Sequence, residues 1–272
     1  MSPLWRDRIQ AFLAPTRVDL ARHRCGIKRR ESSRHSAACQ RKQGLAAWEP
    51  PLELLGEILA DAAGADLRVT LSNHFVRYAV ISHETRIETP VELSLYAEFL
   101  MRQIFGDRAG NWELGLSEWD PGSGAICAAI ERELLEGLQG LATDHKVRLK
   151  GVEPYLTSTI DWWRTSFDRK KTWFALLEAE RICIALLSDG AWQRISNRRM
   201  LLAAEDELLS VLDQEAILFS EGKKTLEEVY LYAPEHPQLT LPNDCGWRIV
   251  SPLTGSRSVP PHYPVALDAL AQ

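Results

Sequence analysis

Four residues able to hold a metal lie near the N-terminus, as His23-x-Cys25 and His35-xxx-Cys39. Strand side chains alternate faces, so His23 and Cys25 would share one face, and His35 and Cys39 one face of the next strand. Two imidazoles and two thiolates form a tetrahedral zinc set. The spacings match no known zinc motif, however, and Arg22, Arg24 and Arg34 oppose a cation there. Exposed strand residues are the simpler reading, and no metal is expected. Ser72-Asn73-His74 sets a nucleophile beside a base, without a GxSxG elbow and without a carboxylate that sequence can place next to the histidine. A turn whose Asn and Ser side chains satisfy local backbone groups explains it better. Asp120-Pro121-Gly122-Ser123-Gly124 has the composition of a phosphate loop. Such a loop should lead into a helix N-terminus. This one leads into a strand pattern, so a hairpin turn is expected.

Two further groups are candidates for an interface rather than for chemistry. Trp162-Trp163 lies on a helical pattern, where adjacent residues point about 100° apart, so at least one ring should leave the core. Tryptophan is frequent at binding hot spots and equally at home in a core. Arg22, Arg24 and Arg29 stand on the basic N-terminal strands. Residues 1–44 carry eleven Lys/Arg against three Asp/Glu, a net of +8, which leaves −13 for the rest of a chain whose total is −5. A basic region on an acidic body could meet nucleic acid, anionic lipid or an acidic protein. Charged edge strands that suppress edge-to-edge pairing give the same composition, and the scattered cations form no nucleic-acid-reading motif.

The elements that must position these residues form a pattern used twice. Arg17–Cys25, Ile27–Arg30 and Arg34–Gln40 read as strands followed by a helix over Leu52–Ala63. Thr172–Glu178, Arg181–Ser188 and Ala191–Asn197 read as strands followed by a helix over Leu201–Phe219. Between them, strands are expected over Leu67–Leu71, Phe75–Ser82, Trp112–Ser117, Ala125–Ile130 and Lys146–Gly151. Helices are expected after the cap Thr89-Pro90, over Glu131–Ala142 and over Pro154–Phe167. Glu227–Tyr232 and Trp247–Val250 complete the strands. The helix over Leu201–Phe219 is amphipathic, with an acidic face from Glu205, Asp206, Glu207 and Asp213. The charged run Asp168–Lys171 marks the expected boundary between a first lobe with helical insertions, residues 12–168, and a smaller second lobe, residues 169–250. Residues 251–272 read as an irregular tail.

Composition fits a soluble globular α/β protein, with 45% apolar and 25% charged residues in 272. Five scattered cysteines make no disulfide framework and suit a reducing compartment. The first thirty residues show no apolar segment of a signal peptide, and no stretch approaches the roughly 20 apolar residues of a membrane span. A cytoplasmic location is expected.

A duplicated β-β-β-α-β-α arrangement is that of the actin-like (ribonuclease H-like) architecture. Within it the chain resembles the PilM and GspL-cytoplasmic-domain group of pilus and secretion assemblies. The residues carrying the resemblance are Phe12–Val18, Val69–Tyr78, Trp112–Leu116 and Trp173–Glu178. The resemblance implies a scaffold that binds other assembly proteins, including membrane-associated ones, from the cytoplasmic side. Active actin-like ATPases use an Asp-x-Gly turn after the first strand of each lobe, where glycine lets backbone N–H groups approach phosphate. Here the first hairpin is read as Asp19–Gly26 and the second as Glu178-Ala179-Glu180-Arg181, and neither contains Asp-x-Gly. The second sets two carboxylates where phosphate would lie. No GxxxxGK[ST] stands elsewhere. The expectation is a non-enzymatic protein without cofactor. An ATPase with non-standard phosphate contacts and a nucleic-acid-binding module are the alternatives.

Overall fold

The computed structural model describes residues 6–24, 32–82, 86–120, 122–163, 167, 171–219 and 226–250. The chain opens with three antiparallel strands, β1 (Arg8–Ala14), β2 (Arg17–His23) and β3 (Ser32–Ala38). Helix α1 (Glu49–Leu59) and β4 (Asp66–Leu71) follow. β5 (Arg77–Ile81), α2 (Pro90–Phe105), a 3₁₀ turn at Asp107–Asn111, β6 (Trp112–Leu116) and β7 (Ala125–Glu131) come next. Then α3 (Arg132–Asp144), β8 (Arg148–Pro154) and α4 (Tyr155–Trp163) return to the first sheet. The second half repeats the opening: β9 (Lys171–Glu178), β10 (Arg181–Ser188), β11 (Ala191–Arg199), α5 (Ala204–Phe219), β12 (Glu227–Tyr232) and β13 (Trp247–Val250).

The two large sheets have one topology. Their orders are β3-β2-β1-β4-β8 and β11-β10-β9-β12-β13. In each, the first three strands are antiparallel, and the fourth and fifth run parallel to the first. The repeat read from the sequence is therefore a repeat of structure. Among the described residues no second helix separates β12 from β13, so the second lobe is the shorter copy.

The first lobe departs from the expected boundaries at its start. Its first strand is β1, which the sequence reading passed over, and the expected first strand is β2. The expected strand Ile27–Arg30 lies outside the described residues, as do Cys25 and Arg29. β1 is the middle strand of its sheet and has Ile9, Ala11, Phe12, Leu13 and Ala14 buried in a near-continuous run. A strand covered on both faces shows no polar–apolar alternation, so the period-2 signal is absent. α1 begins three residues earlier than expected, with Pro50 and Pro51 inside its first turn. N–H groups of the first turn have no helical partner, so proline costs nothing there.

The insertion between β4 and α3 is a three-stranded antiparallel sheet, β5-β7-β6, covered by α2, with its strands at the expected Phe75–Ser82, Trp112–Ser117 and Ala125–Ile130 to within a few residues. Thr89 caps α2 as expected: its hydroxyl accepts from the Glu92 N–H, and Glu92 returns to the Thr89 N–H. The turn at Asp120–Gly124 is the expected hairpin, with the Asp120 carboxylate accepting from the N–H groups of Gly122 (2.6 Å) and Ser123 (3.1 Å).

One core joins the lobes. Phe12, Leu13, Val18 and Tyr155 of the first lobe share a buried cluster with Phe174, Leu176, Cys183 and Tyr232 of the second. β9 shows how this is done. Phe174 and Leu176 face the joint core, while Trp173, Ala175 and Leu177 on its other face pack with Leu208, Val211 and Leu212 of α5.

Candidate functional site

The cleft between the two lobes is bridged by side chains from both. Glu178 ends β9 and is buried at 2% exposure. Its carboxylate accepts from the Ser72 hydroxyl and, at 3.0 Å, from the Asn73 N–H, both in the segment that follows β4 of the other lobe. His74 places Nδ1 2.9 Å from Ser72 Oγ and 3.9 Å from the Glu178 carboxylate. Asn197 donates to the carbonyls of Asn73 (2.9 Å) and Val76 (3.0 Å), and Tyr78 donates to Asn73 Oδ1 at 2.6 Å. The opposite hairpin makes the corresponding reach. Arg17 begins β2 and pairs with Glu235, which lies beyond β12, at 2.8 Å, and with Asp19 at 2.9 Å. Each lobe's first hairpin thus grips the segment after the other lobe's fourth strand.

Ionisation follows from this burial. Desolvation pushes the Tyr78 and Tyr155 hydroxyls and the Cys183 thiol well above their usual range, and the negative charge of Glu178 adds to it. Burial works against the charge of Arg17, but Glu235 and Asp19 outweigh it and raise its pKa. Cys127, away from the cleft, is pushed up to about 12 by burial.

Ser72, His74 and Glu178 come together, with the serine hydroxyl donated to the carboxylate rather than to the histidine. Ser72 and Asn73 are 0% exposed, and the serine hydroxyl is committed to the carboxylate. A substrate has no approach to it. The turn is a lock between lobes, and its carboxylate partner, 106 residues away, could not be found by local spacing.

The first phosphate position is corrected and the second stands as read. With β1 in place, the first hairpin turns at Pro15-Thr16, not within Asp19–Gly26. The second turns at Ala179-Glu180. Neither holds a glycine, and Pro15 has no N–H to offer. Glu178 sets a buried carboxylate beside the second hairpin, while Glu235 and Glu180 are paired with Arg17 and Arg41.

The metal candidates within the described residues, His23, His35 and Cys39, are not brought together. His35 pairs opposite Leu20 and His23 opposite Ser32, so the histidines lie three positions apart along the hairpin, about 10 Å, and on opposite faces. Cys39 lies beyond the end of β3, its Sγ 3.8 Å from the Pro15 carbonyl oxygen. Among the described residues no cluster could hold a metal ion. In the basic N-terminal region Arg22 pairs with Asp7 of the same region, Arg17, Arg41 and Lys42 pair with Glu235, Glu180 and Glu53 of the acidic body, and Arg24 stays exposed. Trp163 is buried at 3% exposure, and Trp162 is half-buried against the joint core. On α5, Glu207 is turned inward to cap Leu201 and Leu202, and Asp213 accepts from Trp247 Nε1 at 2.8 Å, so the acidic face is partly structural.

A second concavity is open. A groove of about 640 Å³ runs between the inserted sheet and the first lobe. Leu114, Leu116, Ile126, Ala128, Leu149 and Val152 make it mainly apolar, with Glu113, Lys150 and Asp161 among the polar residues lining it. Consecutive residues line it on both sides, 113–117 and 149–152. Since neighbouring strand residues face opposite ways, such continuous runs mean that strand edges border the groove. β6 and β8 are the terminal strands of their sheets, so each carries one unpaired edge of N–H and C=O groups.

No protein-family profile matches the sequence, and no curated protein matches it. Solved structures do. A Bacteroides thetaiotaomicron protein with an actin-like ATPase fold and unknown function aligns over 85% of this chain and 84% of its own, at 11% identity and a TM-score of 0.57. The cytoplasmic domain of EpsL, an inner-membrane component of the type II secretion system of Vibrio cholerae, aligns over 98% of this chain and 95% of its own, at 13% identity and a TM-score of 0.57. A PilM–PilN type IV pilus biogenesis complex supplies a third match, over 90% of this chain and 88% of that one, at 13% identity and a TM-score of 0.59. At such identities the likeness speaks of fold alone. The duplicated sheet topology and these three matches together show that the chain has the actin-like fold, in an arrangement similar to that of the EpsL cytoplasmic domain and the PilM–PilN complex.

Proposed function

We propose that this chain is a non-enzymatic actin-like scaffold that takes up an extended, mainly apolar segment of a protein partner in the groove between β6 and β8. The observation that carries the reading is that groove, where two unpaired strand edges stand over an apolar floor. An extended peptide adding to either edge would gain main-chain hydrogen bonds, and its alternate side chains would enter the floor. The internally locked cleft supports the same reading, because the hairpins that would hold phosphate are occupied with joining the lobes. Partners from a pilus or secretion assembly, some membrane-associated, fit the likeness to the EpsL cytoplasmic domain and to the PilM–PilN complex. The chain itself has no helix long and apolar enough to cross a membrane among its described residues. Nucleic-acid binding is not favoured, since the basic residues form no nucleic-acid-reading motif and Arg17 and Arg22 are paired with Glu235 and Asp7.

Selection of peptides from a display library on the wild-type protein tests the proposal. Selected sequences should alternate apolar and polar residues. They should bind at least about tenfold more weakly, ~1.4 kcal/mol, to Val152→Arg and to Leu114→Arg. Val152 and Leu114 are half-buried groove residues, so the variants should keep the wild-type circular dichroism. Peptides that bind both variants as tightly as wild type would move the docking surface elsewhere.

A further inference from the structure

Gly115 is the fourth of the five residues of β6, Trp112–Leu116. Glycine weakens a strand, since it orders a freer backbone and offers no side chain to pack. Nothing within the chain requires it there. Its φ is not positive, its pairing with Ala128 of β7 is in regular register, and a Cβ would meet only the Ala128 carbonyl oxygen, at an ordinary 3.8 Å. A strand glycine without a bulge marks a place where another backbone or a ligand comes close. Gly151 of β8 is different, because it follows a register shift that leaves Lys150 as an extra residue.

The orientation of β6 says what would come close. Trp112, Leu114 and Leu116 pack with the cluster under α2, so Glu113 and Gly115 face the groove. The Ser117 N–H donates to the Ile126 carbonyl of β7 at 3.0 Å. By alternation Glu113 and Gly115 also spend their backbone groups on β7, while Trp112, Leu114 and Leu116 turn theirs to the free edge. A strand added antiparallel there hydrogen-bonds to Leu114 and Leu116. Its residue opposite Gly115 falls in a non-hydrogen-bonded pair, with Cα atoms about 4.5 Å apart. That side chain meets no Cβ, so it lies over the glycine and enters the groove lined by Leu149 and Val152. Its two neighbours point the other way, into a separate concavity of about 290 Å³ beside β6 and α2, whose lining includes Glu98, Arg102 and Arg132.

We propose that the partner segment adds antiparallel to β6 rather than to β8, with a large aromatic residue facing Gly115 and a polar residue on each side of it. This rests on the groove being the docking site. The bulge at Lys150 interrupts the edge of β8, whereas β6 is regular. An aromatic ring laid over a glycine of the neighbouring strand restores the packing that the glycine lacks. The carboxylate and guanidinium groups on the α2 side receive the polar neighbours.

Peptides selected from a display library on wild type, then titrated against Gly115→Val, test this. Valine keeps the edge and suits a strand better than glycine, so the variant should melt no lower than wild type. It fills the space over position 115, and the selected peptides should bind it at least about tenfold more weakly, ~1.4 kcal/mol. Replacing the peptide's aromatic residue with alanine should cost a similar factor on wild type and little on Gly115→Val, since the two changes remove one contact. Peptides that share no aromatic position, or that bind Gly115→Val as well as wild type while Val152→Arg weakens them, overturn this inference and leave the groove in place. Peptides unaffected by Val152→Arg and Leu114→Arg overturn the groove reading, and this inference with it.

Discussion

Replacing Tyr155 with alanine is expected to remove about 3–5 kcal/mol of stability, the range for deleting a fully buried aromatic side chain. Tyr155 opens α4 and is 0% exposed. Its ring centroid lies 4.7 Å from that of Phe12 on β1 and 6.2 Å from that of Tyr232 at the end of β12. One side chain thus touches the central strand of the first lobe and the fourth strand of the second. The void left by alanine would be walled by two separate sheets, and neither can move in to fill it without disturbing its own ladder. Cavities that cannot collapse are the costly ones. Denaturant unfolding followed by fluorescence would measure the loss. Tyr155→Phe keeps the ring and removes only the buried hydroxyl, so about 1 kcal/mol or less is expected. A loss under about 1 kcal/mol for Tyr155→Ala would mean that the lobes do not share their core in the way described.

The second large effect is expected at Glu178. Alanine there leaves the Ser72 hydroxyl and the Asn73 N–H buried without their acceptor. Hydrogen bonds to a charged group are worth about 1.5–3 kcal/mol each, so a total near 3 kcal/mol is expected. For a chain of this size that corresponds to a fall of roughly 6–12 °C in Tm. Glu178→Gln retains an acceptor oxygen without the charge and should fall between alanine and wild type. Thermal melts of the three proteins give the order directly. If Glu178→Ala melts with wild type, the carboxylate is no lock.

Much of this fold is written in local signals. The capping box at Thr89, the Asp120–Gly124 hairpin and the strands Arg181–Ser188 and Glu227–Tyr232 stand where sequence pattern sets them, because each is decided by neighbours a few residues away. β1 was hidden by its central place: covered on both faces, it has lost the alternation that marks a strand, and Arg8 and Gln10 interrupt the apolar run that remains. The missing strand displaced the first hairpin from Pro15-Thr16 to Asp19–Gly26. The absence of Asp-x-Gly survived the displacement because neither segment contains it.

The candidate sites were less legible, since they depend on partners far apart in the chain. Glu178 could be seen as a carboxylate near a turn, but its bonds to Ser72 and Asn73 span more than 100 residues. The groove has no motif at all. It exists because β6 and β8 end their sheets, and strand order is a property of topology rather than of any segment.

The claim at the centre of this account is that the cleft is bridged by the chain's own side chains and the protein works without nucleotide. A thermal melt of the wild-type protein in saturating Mg·ATP tests it most directly. A ligand present at 100 times its dissociation constant stabilises by about 2.7 kcal/mol, which would raise Tm by roughly 5–11 °C here. The account predicts an unchanged Tm. A rise of that size would contradict it and make the cleft a nucleotide site.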